Sequence, residues 1–226
     1  MSQDMSPLTE DDIADFLVNR PDFFARHAEL LATVQLTSPH SHRAVSLQER
    51  QAEMLRQKIK GLELRIMDMV RHGNENMAIA DKLQRWARQL FLVAQPADLP
   101  AVMVSELLSQ FGVPQVALKV WDVAPAFAAE PFAQGASEEV KILAASLASP
   151  YCGPNVGFEA VGWLDDPASV ASVALIALRS GTVPQAAGLL VLGSPDPQRF
   201  DAGMGTDFLE RLAELGGAAL SRLRSA

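Results

Sequence analysis

The sequence predicts an α/β protein of the α+β type: a helical N-terminal region, a long coiled-coil helix, then an antiparallel sheet flanked by helices. Three observations carry that expectation. Apolar residues from Leu55 to Met69 recur at alternating steps of four and three, the spacing of a helix that pairs with another helix. The runs SVASVALIALRS and AGLLVLGS flank the short turn SGTVPQ, and two apolar strands joined by a Gly- and Pro-containing turn form an antiparallel hairpin. Capped amphipathic helices precede and follow these strands. The expected divisions are a helical pair over residues 1–45, a dimerisation helix over 46–94 and a sheet-and-helix domain over 95–226.

Taking the elements in order, Thr9 opens a T-x-x-D capping pattern that starts a helix running to about Val18. Pro21 suits the first turn of a second helix, PDFFARHAELLATV, because no amide donor is needed there. Phe16, Leu17, Phe23, Phe24, Leu30 and Leu31 give the pair an apolar side. The pair is too small to be stable alone and is expected to pack against the start of the long helix. The loop TSPHSHRAV holds His40 and His42. With no third ligand nearby they form a polar loop rather than a metal site.

Ser46 then opens the capping box S-L-Q-E, with Glu49 reaching back to the Ser46 amide. In the heptad that follows, Ile59 and Ile66 occupy position a, and Leu55, Leu62 and Met69 occupy d. β-Branched residues at a with Leu at d favour a parallel two-stranded coil. Lys58 at g faces Glu63 at e of the other chain. Gly73 and Asn76 weaken the seam, and Ala80, Leu83, Ala87 and Leu90 resume it without a shift. A continuous helix to about Val93 would be roughly 70 Å long at 1.5 Å per residue. A homodimer is expected, with Leu55, Ile59, Leu62, Ile66, Met69, Leu83 and Leu90 in its interface.

Beyond the long helix, DLPAVMVSELLSQF forms a helix with Pro100 in its first turn and Gly112 just past its end. VPQVALKVWDV is a strand. SEEVKILAASLA is a helix that starts from a serine followed by two glutamates, and SPYCGPNVG is a loop. After the hairpin, GTDFLERLAELGGAALSRL closes the chain as a helix with the stripe Phe208, Leu212, Leu215 and Ala219.

Composition narrows the functional classes. At 49% hydrophobic and 20% charged residues the chain is globular rather than disordered. Aromatics are only 6%, so the core rests on Leu, Val, Ala and Ile. The net charge of -8 argues against a nucleic-acid partner, whose phosphates need clustered Lys and Arg. Residues 46–94 carry nine basic and six acidic side chains, a mixed solvated face. Cys152 is the only cysteine, so no intramolecular disulfide forms and a reducing compartment fits. The start MSQDMSPLTEDD lacks a signal-peptide pattern, and the apolar run Val170 to Leu178 is too short to span a bilayer. A cytoplasmic protein without a membrane partner is expected.

The run GLLVLGSPDPQRFDAGMGTDFLERLAELGGAAL resembles the end of a GAF domain: a strand ending in Gly-Ser, an Arg-Phe pair and a closing helix. Taken together, NRPDFFARHAELL, AVSLQERQAEMLR, YCG, SVALIAL, LGSPDPQRF and MGTDFL resemble the bacterial domain-of-unknown-function family 484 over nearly the whole chain. The resemblance implies a GAF-like antiparallel sheet of about five or six strands with helices on its faces. It also implies dimerisation through end helices and, in many GAF domains, a small molecule held between the sheet and one helix-loop layer. The narrower family has no established activity.

Trp121, Phe132, Tyr151, Cys152, Phe158 and Trp163 fall in the segments that would wall such a pocket; core residues share the same apolar character. The Asn-Lys-Phe-Asp-Glu signature of cyclic-nucleotide GAF domains is missing. Cys152 lacks the neighbouring His of bilin-binding relatives. Gly203 to Gly205 form a turn, without the lysine and spacing of a phosphate loop. No histidine follows Asp98, and no acid–base pair stands out, so catalysis is not expected. The expected function is a homodimeric small-molecule sensor or adaptor whose ligand and cofactor remain unassigned. A ligand-free dimeric scaffold for protein partners is the alternative. Members of the family are often encoded beside a tyrosine recombinase, so an accessory role in site-specific DNA recombination is a third expectation.

Overall fold

The computed structural model describes residues 8–33, 35–37, 44–179, 185–203 and 205–224. Two compact units divide the chain, Met1–Gly73 and Asn74–Ala226. His40, His42, the side chains of Leu31 and the Ser46–Glu49 capping pair, and most of the turn SGTVPQ lie outside the described residues.

In the first unit, helix α1 (Glu10–Asn19) starts at the expected capping box. The Thr9 amide donates to the Asp12 carboxylate at 2.9 Å, and the Asp12 amide donates to Thr9 Oγ1 at 3.2 Å. The single helix expected from Pro21 is instead two, α2 (Phe23–Arg26) and α3 (Ala28–Thr33). His27 leaves helical geometry at φ -118°, ψ 48°, with its amide bonded to Phe23 O. Its imidazole lies 4.7 Å from the Phe23 ring. Strands β1 (Gln35–Thr37) and β2 (Ala44–Ser46) pair antiparallel, where the sequence suggested helix end and loop. Helix α4 (Leu47–Leu92) is one 46-residue element that runs through Gly73 without interruption.

The second unit is built on α5 (Leu99–Phe111), β3 (Gln115–Val120), α6 (Glu138–Ser146), β4 (Tyr151–Pro154), β5 (Ser172–Arg179), β6 (Ala186–Ser194) and α7 (Asp207–Leu220). Gly112 closes α5 at φ 60°, a left-handed conformation that glycine adopts without steric cost. Ser137 caps α6 by accepting the Val140 amide. The sheet order is β3-β6-β5-β4, all neighbours antiparallel. Four strands among the described residues replace the five or six implied by the resemblance. β4 was expected as loop, because YCGP holds turn-forming Gly and Pro. As an edge strand it tolerates both, since one side of its backbone needs no partner.

Both faces of the sheet are covered, which explains why SVALIAL and GLLVL are apolar throughout rather than alternating. Leu118, Ile176, Leu178, Leu190 and Leu192 meet Trp86, Leu90, Met103, Leu107 and Leu212 from α4, α5 and α7. Ala117, Val173, Leu175, Leu189 and Val191 meet Val140 and Ala144 of α6 with Val161 and Leu164. On α7 the buried line is Leu212, Gly216, Gly217 and Leu220, rotated from the expected stripe. A Cβ on Gly217 would overlap the Arg179 carbonyl, so the glycine pair lets α7 lie close on β5.

The motif LGSPDPQRF acts as a clamp. The Ser172 hydroxyl, fully buried, donates to Asp196 O at 2.6 Å, and the Asp196 amide donates to Ser194 Oγ at 3.1 Å. Arg199 donates to Phe111 O at the end of α5, and Phe200 is buried in the core.

Candidate functional site

Two features present themselves, an apolar stripe on α4 and a cleft beside β3. The stripe follows from the heptad spacing: Leu55, Ile59, Leu62, Ile66 and Met69 project from one face with exposures of 47–72%. Further along α4, Leu83 and Leu90 are only 7% and 2% exposed and lie in the core of the second unit with Trp86. The expected seam is therefore shortened. Leu83 and Leu90 have partners within their own chain, because α5 and α7 cover that side of the helix and Trp86 donates its indole N–H to Met103 O at 3.4 Å. Heptad spacing alone does not distinguish a seam between chains from a helix packed on its own sheet.

The six pocket candidates do not converge on one cavity. Trp121 follows β3 and is buried under the α6 layer, its indole N–H donating to Ala186 O at 2.6 Å. Tyr151 and Phe158 pack edge to face at 5.1 Å against the same layer. The Tyr151 hydroxyl donates to Pro154 O at 3.2 Å. Cys152, the next residue on β4, turns to the opposite face and joins the core there. Burial pushes its thiol above the ordinary value, so it lacks the thiolate character of a reactive cysteine. Tyr151 and Cys152 border a shallow recess of about 440 Å³ with residues 146–150.

Phe132 and Trp163 do come together. They line an open cleft of about 550 Å³ together with Pro100, Val104 and Leu108 of α5 and Val116–Lys119 of β3; Phe132 packs against the core layer that α5 belongs to, and Trp163 against the α6 layer. Lys119 Nζ donates to Pro131 O at 2.8 Å and ties the turn carrying Phe132 to the strand. The lining from α5 and β3 was missed from sequence. Leu108 and Val116 belong to ordinary amphipathic patterns, and the free edge of a strand has no sequence signal.

No cluster of three His, Cys, Asp or Glu side chains suited to a metal ion occurs among the described residues. Among the same residues no helix is long and apolar enough to cross a membrane.

A helix-bearing α+β protein with a two-sided antiparallel sheet is the class these features define. The chain belongs to the family described as "Protein of unknown function, DUF484", whose profile matches residues 3–225. It is similar to the uncharacterized protein YigA of Salmonella typhimurium strain LT2, with 24% identity over 220 residues, 94% of this chain and 91% of that protein. Among solved structures it is similar to a GAF domain assigned to a sensor histidine kinase of Pseudomonas syringae pv. tomato. That match has 17% identity and a TM-score of 0.43, and covers 67% of this chain and 91% of the other.

Proposed function

We propose that this chain is a non-enzymatic, homodimeric regulatory adaptor that pairs through α4 and presents its α+β unit to a protein partner. One observation supports it above the others: five apolar side chains in heptad register stand exposed on one face of α4. Fully burying such a side chain contributes about 1.5–3 kcal/mol. Each is already near half buried, so five on each of two chains contribute about 10 kcal/mol gross. Association costs about 4–15 kcal/mol, which makes pairing concentration-dependent and suited to regulation. Lys58 and Glu63 add an opposite-charge contact in parallel register.

Small-molecule sensing is a second reading, favoured by the cleft that Phe132 and Trp163 line. The aromatic residues under α6 lend it less support, because Trp121 is packed and hydrogen-bonded. Native mass spectrometry of freshly purified protein tests both. A dimer mass without added ligand supports the adaptor, and added mass from a retained small molecule supports the sensor. A monomer at tens of micromolar would contradict the pairing.

A further inference from the structure

We propose that the cleft beside β3 binds an extended segment of another protein as an added strand. The Trp121 amide donates to Ala187 O at 2.8 Å, and the β3–β6 register runs from Gln115↔Gly193 to Val120↔Gly188. Hydrogen-bonded pairs alternate along an antiparallel ladder. Gln115, Ala117 and Lys119 therefore direct their backbone groups to β6, and Val116 and Leu118 direct theirs to the outer edge. β3 stands at the edge of the sheet with β6 as its one neighbour among the described strands, so the amides and carbonyls of Val116 and Leu118 face away from the ladder. This edge borders the cleft, with α5 and Phe132 belonging to the core layer on one face of the sheet and Trp163 to the layer on the other.

A row of main-chain donors and acceptors between apolar walls is complementary to an extended main chain with apolar side chains at alternate positions. Leu108, exposed at 39%, and Trp163 offer contacts to the two faces of such a strand. The occupant is not a second copy. That assignment rests on the adaptor reading above and on shape: a two-fold pairing of copies needs a self-complementary surface, and the open edge is a recess between α5 and Trp163, which accepts a protruding segment and would meet only a second recess in a copy.

The test uses the full chain and a labelled octapeptide of alternating valine and threonine with a lysine at each end, read by fluorescence anisotropy. Val116→Pro removes one outward amide and leaves the β6 ladder intact, Val116→Thr keeps that amide, and Leu108→Asp charges the α5 wall. Parent and Val116→Thr should bind alike, with Val116→Pro and Leu108→Asp at least tenfold weaker. Equal binding by all four proteins, or no binding by the parent, overturns the proposal. So does loss of self-association in Val116→Pro during sedimentation, which would make a second copy the occupant. Sedimentation of the parent reports the dimer separately: a monomer that still binds the peptide through Val116 refutes the α4 pairing and leaves the strand site standing.

Discussion

Trp121 and Trp163 show at the residue scale why composition could not separate core from cleft. Trp121 is enclosed by the α6 layer and bonded through its indole N–H. Trp163 is only partly buried and has one side open to the cleft. Deleting a large buried aromatic costs about 3–5 kcal/mol, and the cost falls where the site was not fully packed. Trp121→Ala is expected to lose that full amount in urea unfolding, and Trp163→Ala less than half of it. Equal losses would mean that the Trp163 side of the cleft is packed rather than open.

Capping illustrates what the element scale makes legible. The pattern T-x-x-D was readable because its chemistry is local, and the Thr9 side chain and amide hold the Asp12 carboxyl below its ordinary value. A carboxyl lowered in this way contributes stability above its unfolded-state pKa and loses it as pH falls through its folded-state value. The amides of α1 are expected to lose helical NMR shifts only below the ordinary carboxylate range, and in Thr9→Ala at a higher pH. Identical acid titrations of α1 in the two proteins would contradict that role. The α5 and α6 boundaries and the β5–β6 hairpin were legible for the same reason, each marked by a cap or turn beside a strong apolar run.

Elements governed by non-local contacts were not legible. β4 looks like a loop until β5 supplies its partner. Leu83 and Leu90 have the same spacing as Ile59 and Ile66, and only the folding of α5 and α7 onto α4 assigns the first pair to the core. Of the candidate pocket, Phe132 and Trp163 were found and the lining from α5 and β3 was not, because it is formed by residues with ordinary patterns.

In the whole molecule, one helix is proposed to serve two partners. Its C-terminal turns complete a core with α5 and α7, and its exposed heptads are proposed to meet the same heptads of a second chain. Ile59→Asp with Ile66→Asp tests this directly, since it places unpaired carboxylates in adjacent layers of the seam at a cost of several kcal/mol. Both positions are exposed in the single chain, so its fold should survive. Sedimentation velocity across micromolar concentrations should show a parent dimer and a folded, monomeric double variant. A double variant that sediments as a dimer with the parent's affinity would show that α4 does not form the seam.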